Sequence, residues 1–123
     1  MKSAELKDLS VAQLVDKFTA ITLAQFKAEL YDEFSKYNRL YREMVAVEQE
    51  LKGRPGDQRI ALVPLFQHSN PQVRLMAAQF TLAVAPAESR QTLQEIWDRK
   101  EFPQAADALG TLRALERGDR KPT

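Results

Sequence analysis

The positions Val11, Leu14, Val15, Phe18, Ile21, Thr22 and Phe26 recur at spacings of three and four, the period of an α-helix. Ser10 and Gln13, three apart, form a capping-box pattern just ahead of them, which predicts a helix beginning at Val11. A second stripe, Phe34, Tyr37, Leu40, Tyr41, Met44, Val47 and Leu51, runs through a segment rich in Glu, Lys and Arg, as an amphipathic helix requires, with Asp32 as its expected cap. No Gly or Pro separates the stripes between Lys27 and Tyr31. Two helices folded back on each other are nevertheless expected, because a single helix of that length would leave both stripes exposed.

Gly53-Arg54-Pro55-Gly56-Asp57 combines a helix-terminating Gly, a Pro that disfavours helix before it, and a capping Asp. Shorter helical pieces follow, Gln58 to Gln67, Pro71 to Ala85, Pro86 to Lys100 and Pro103 to Arg117, three of which open with a Pro suited to a first helical turn. Asn70 is placed to cap the second piece, Glu88 adds charge near the start of the third, and Gly118 can end the last. The segment Val73, Met76, Ala77, Phe80 and Val84, with Leu75 and Leu82 on another face, is apolar nearly all round and predicts a central helix. No strand is expected.

A chain of 123 residues fits one domain, taken as 1–123, and suffices for a core without covalent staples. Cysteine is absent, which excludes disulfides and thiolate metal sites and favours the cytoplasm. The segment MKSAELKDLS lacks the apolar stretch of a secretory signal, and no run approaches the roughly 20 apolar residues of a membrane helix. Eighteen basic residues nearly cancel seventeen acidic ones, so no global field draws the chain to nucleic acid or anionic lipid. The second half uses mostly Arg where the first uses mostly Lys, and Arg is the better recognition residue.

The stretch Leu62-Val63-Pro64-Leu65-Phe66-Gln67-His68-Ser69-Asn70-Pro71-Gln72-Val73-Arg74-Leu75-Met76-Ala77-Ala78-Gln79-Phe80 resembles one HEAT repeat: an apolar helix, a polar turn, then Pro-x-Val-Arg opening a second helix. Leu62, Leu65 and Phe66 are expected to face Val73, Ala77 and Phe80, with the small Ala77 and Ala78 permitting close approach. A weaker second pair sets Leu93, Ile96 and Trp97 against Ala105, Leu109, Leu112 and Leu115. From about Leu9 to Gly118 the chain is similar to a family of small bacterial proteins of unknown function in the HEAT-like group. That resemblance implies an all-α fold of about six helices, a hairpin over 10–52 followed by two HEAT-like pairs over 57–118, a short α–α superhelix recognising other proteins. It implies no activity.

The residues that invite chemistry have simpler explanations. His68, the sole histidine, has no second His or Cys and no carboxylate at ligand spacing, so an exposed turn residue is expected. Arg74 resembles a structural residue tying its helix to a neighbouring carboxylate or turn carbonyl. Trp97 heads an aromatic and Arg cluster, Trp97-Asp98-Arg99-Lys100-Glu101-Phe102, of the kind enriched at binding hot spots, yet its spacing from Leu93 and Ile96 puts it on the buried stripe. Asp32, Glu33, Glu43, Glu48 and Glu50 are interleaved with Lys36, Arg39, Arg42 and Lys52 and read as a solvated ion-paired surface. Asn38, mid-helix, calls for a structural hydrogen bond. The four glycines build neither a P-loop nor a dinucleotide fingerprint, and a nucleophile elbow is missing.

These readings converge on a non-enzymatic protein-interaction module with no catalytic, cofactor or metal site, in one version an immunity or antitoxin-like inhibitor. The partner surface is expected on the second helices of the two pairs, at Gln72, Leu75, Gln79, Gln104, Asp107, Thr111 and Arg113, joined by Trp97 and Arg99 at the edge. The partner is an unknown protein, not a membrane, and a homo-oligomer is compatible with leftover apolar surface. The alternative is a nucleic-acid-binding helical repeat using Arg54, Arg59, Arg74, Arg90, Arg99, Arg113 and Arg117, which the near-zero net charge disfavours. An enzyme working through carboxylates alone, with or without a metal, ranks last.

Overall fold

A computed structural model describes residues 6–123; Met1 to Glu5, part of the N-terminal segment judged unlike a signal, lie outside it. Among the described residues there are six helices and no strand: α1 Val11–Leu30, α2 Phe34–Gly53, a 3-10 helix Gln58–Gln67, α3 Pro71–Phe80, α4 Pro86–Asp98 and α5 Gln104–Arg117. The chain divides into two compact units, 1–61 and 62–123, with the boundary inside the 3-10 helix.

In the first unit, α1 starts where the capping box predicts. Ser10 Oγ accepts from the Gln13 amide at 3.1 Å and Gln13 Oε1 accepts from the Ser10 amide at 2.8 Å, which satisfies two helix-end donors. The helix stops at Leu30, and Asp32 takes a left-handed φ of 55° that reverses the chain into α2. Two helices therefore form, as expected, but the N-cap of α2 is Glu33 and not Asp32, since a residue in the left-handed region is not in the extended conformation of an N-cap. α1 buries Leu14, Phe18, Ile21 and Ala28, and α2, packed against it, buries Leu40, Met44, Val47 and Leu51. The Thr22 hydroxyl is accommodated in this core by donating to the Phe18 carbonyl at 2.7 Å.

Arg54 closes the unit. Its guanidinium donates to the carbonyls of Leu6 at 3.1 Å and Leu9 at 2.7 Å and to Glu50 at 2.9 Å, so the segment ahead of α1 is fastened to the end of α2. Asp57, at φ 50°, accepts two bonds from the buried Arg59 guanidinium at 2.9 and 2.7 Å.

The helix predicted over Gln58 to Gln67 is present but winds as a 3-10 helix, with Pro64, which lacks an N–H to donate, inside it. It buries Leu62 and Phe66 and leaves Leu65 half-buried. In the second unit α3 packs against both α4 and α5, which also pack against each other. Eight of the ten α3 residues are buried, so the nearly all-round apolar pattern did mark a central helix. Asn70 caps it by accepting from the amides of Gln72 and Val73 at 2.8 and 3.4 Å.

α3 ends at Phe80, five residues short of the expected Ala85. The Thr81 hydroxyl donates back to the Ala77 carbonyl at 2.7 Å and pairs with Ser89 Oγ at 2.8 Å, which fixes a turn ahead of Pro86. α5 ends at Gly118, whose φ of 77° costs a glycine little and turns its amide back to Ala114 and Leu115.

Candidate functional site

The turn between the 3-10 helix and α3 is organised by Arg74. Its Nε donates to the His68 carbonyl at 2.8 Å, Nη2 to the Ser69 carbonyl at 3.3 Å, and Nη1 and Nη2 each to a Glu101 carboxylate oxygen at 2.7 Å. Both halves of the structural role expected of Arg74, carboxylate and turn carbonyl, are therefore filled at once. These bonds hold the Glu101 carboxyl below the usual carboxylate range and outweigh the opposing effect of burial. His68 is half-buried and not fully exposed, because its Nδ1 accepts from the Asn70 amide at 3.0 Å and keeps the ring against the turn.

Beside this turn lies an open cleft of ≈ 320 Å³ walled by Phe66, Gln67, His68, Ser69, Arg74, Glu95, Arg99 and Glu101. A second cleft of ≈ 340 Å³ adjoins it along Phe66, Gln67 and Glu95 and extends to Val63, Pro64, Glu88, Gln91 and Thr92. The first is polar nearly throughout, and its most buried charge, Arg74, is already paired. The second adds the apolar Val63, Pro64 and Phe66 to its wall, but both stand open to solvent, unlike the enclosed pockets that bury most of a small ligand.

The nine residues expected to bind a partner fall into two groups. Gln72, Leu75, Gln104 and Thr111 are buried, with 1%, 1%, 3% and 5% of their surface exposed, which corrects their assignment to an exposed face. The reason is the central position of α3, whose polar side chains meet the polar side chains of α5. Gln104 Nε2 donates to Gln72 Oε1 at 2.9 Å, and Gln79 Nε2 donates to Asp107 Oδ1 and Thr111 Oγ1, each at 3.0 Å. Gln79 and Asp107 are therefore engaged within the unit, although Asp107 and Arg113 remain exposed.

Trp97 and Arg99 sit together at the α4–α5 turn, where the sequence had marked an edge. Trp97 is half-buried, and Phe102, 58% exposed, stands edge-on to it with centroids 6.0 Å apart at 81°. Lys100 Nζ lies 3.7 Å from the indole centroid, a cation–π contact. Arg99 is exposed and reaches Glu95 at 3.9 Å. Lys100 and Phe102 belong to the aromatic and Arg cluster of the sequence, but a Phe just before Pro103 carries no sequence signal of its exposure.

Of the acidic residues singled out in the first half, Asp32 and Glu33 are exposed and the others are ion-paired. Glu43 meets Arg39 at 3.7 Å, Glu48 meets Arg59 at 4.0 Å and Glu50 meets Arg54 at 2.9 Å. Asn38 is exposed, so the hydrogen bond expected of it finds no buried setting. Among the described residues no group of three or more His, Asp or Glu is arranged to hold a metal ion, and no helix is long and apolar enough to cross a membrane.

A search of curated proteins returned no match. Among solved structures, the chain is similar to the protein RPA1889 from Rhodopseudomonas palustris CGA009, at 45% identity and a TM-score of 0.94, covering 96% of this chain and 98% of that one. A family model described as a domain of unknown function, DUF2019, matches residues 12–116, nearly from the start of α1 to the end of α5. The chain belongs to this family, DUF2019, a domain of unknown function.

Proposed function

We propose that the chain is a non-enzymatic protein-interaction module that docks a partner protein on the α4–α5 turn, at Trp97, Lys100 and Phe102 with Arg99 beside them. The observation that supports this is the exposure of Phe102: a large aromatic ring left 58% open, braced edge-on by a Trp that a lysine covers. Trp and Arg dominate binding hot spots, and a ring already held in place loses little freedom on docking. Asp107 and Arg113, exposed on α5, and the half-buried Gln79 of α3 are the further candidate contacts, as the resemblance to helical-repeat scaffolds suggests. The two cations favour a partner that presents carboxylates around an apolar pocket, as an inhibited toxin would to an immunity or antitoxin-like protein.

The nucleic-acid alternative loses support residue by residue. Arg54, Arg59 and Arg74 are bound to carbonyls and carboxylates of the chain itself, and Arg117 meets Asp119 at 2.8 Å. The remaining Arg90, Arg99 and Arg113 are too few for the several clustered phosphate contacts that useful duplex affinity needs.

Affinity capture of the tagged chain from its native cell extract at moderate salt tests the proposal, with Phe102→Asp run in parallel. A stoichiometric protein held by the wild type and lost from Phe102→Asp, at unchanged helical signal and Tm, is the expected result. Recovery of the chain alone, or equal retention of the protein by Phe102→Asp, would overturn it.

A further inference from the structure

The turn between α1 and α2 carries the most exposed large apolar side chains of the described residues. Leu30 is 64% exposed, Tyr31 67% and Phe34 69%, all within five consecutive positions. Leu23, 39% exposed, precedes Leu30 by two helical turns on α1, and Tyr41, 41% exposed, follows Phe34 by the same distance on α2. Each extends the turn's apolar surface along its own helix.

We propose that this hairpin tip is a self-association surface whose occupant is a second copy of the chain. Area is the first argument. A Phe or Tyr side chain carries about 150–250 Å², so the exposed parts of the three aromatics and two leucines come to roughly 500 Å², at the upper end of what a lone monomer shows in one patch. Two such patches face to face remove roughly 1,000 Å² from water, the threshold of a specific interface before any polar rim is added.

Charge is the second argument, and it selects the occupant. Lys27, Asp32, Glu33 and Lys36 are all exposed around the tip, two of each sign. A two-fold pairing places the same patch on both sides, so each copy offers acids to the other's lysines. An anionic lipid surface would meet Asp32 and Glu33 set between Tyr31 and Phe34, where like charge opposes approach. A partner of one strong sign would satisfy half of these groups and repel the rest.

Sedimentation of the full chain across a concentration series reads the prediction directly. The wild type is expected to shift from 14.0 kDa to twice that mass, and Phe34→Glu and Leu30→Glu are each expected to raise the concentration of the shift at least about tenfold with unchanged helical signal. Because the natural chain has no cysteine, Tyr31→Cys supplies a second readout. Mild oxidation should link two copies through that position and leave an Arg113→Cys control unlinked. A chain that stays monomeric up to about 1 mM overturns the proposal. So does a dimer indifferent to both Glu variants, or a monomer that sediments with anionic vesicles only when Phe34 is intact.

Discussion

Arg74 makes four hydrogen bonds with a side chain only 7% exposed, and Glu101, its partner, is 24% exposed. Removing one member of such a pair strands the other, so Arg74→Ala is expected to cost about 3 kcal/mol in urea unfolding, with Arg74→Lys recovering only part because an ammonium cannot span two carboxylate oxygens and two carbonyls. Acid should dissolve the same contact. Glu101 in the folded chain titrates below its ordinary 4.5, so its stabilisation is complete above that value and disappears as pH falls through the lower folded value. Asp57, depressed from 3.8 chiefly by the hydrogen bond from Arg59, adds to the loss in the same direction. The Tm of Glu101→Gln should therefore lie below the wild type at neutral pH and converge on it as pH drops below 4.5. The structural role of Arg74 was legible from its place after Asn70-Pro71. That Glu101, 27 residues away, is the carboxylate it holds was not, since sequence does not reveal which distant turn a side chain reaches.

At the scale of the element, boundaries were legible where a residue marks them chemically. Ser10 with Gln13, Asn70 and Gly118 all stand at helix ends because each satisfies backbone groups that would otherwise lack partners. Asn70→Ala is expected to lower stability by about 1 kcal/mol, measured by chemical denaturation. Pro86→Ala should have a smaller effect, since the start of α4 has no side-chain cap to lose. The boundaries that were missed depend on tertiary contacts: α3 stops at Phe80 because Thr81 turns back and meets Ser89, a residue of the next helix. The 3-10 winding of Gln58–Gln67 is likewise a choice between two helix types that share the same apolar residues. The expected exposure of part of the partner surface was not met for a related reason. Gln72, Gln104 and Thr111 look solvent-facing on a single helix, but polar side chains on neighbouring helices can satisfy one another and be buried together.

For the molecule as a whole, helical content and near-neutral charge were plain from the chain, whereas its division into units at Ala61 and Leu62 was not, because the Gly53–Asp57 break lies earlier and the helix after it straddles the boundary. With a net charge of +1 and its most buried arginines consumed internally, the protein should pass through heparin or DNA columns without salt-dependent retention; elution that moves steadily with salt would revive the nucleic-acid reading. The two units share one device, an arginine that grips two backbone carbonyls and a carboxylate: Arg54 on Leu6, Leu9 and Glu50, and Arg74 on His68, Ser69 and Glu101. Each grip measures out a length of chain. Arg74 reaches carbonyls six and five residues behind it, so one residue inserted between Ser69 and Pro71 would carry both past the guanidinium. Natural length variation and engineered insertions should therefore avoid that turn.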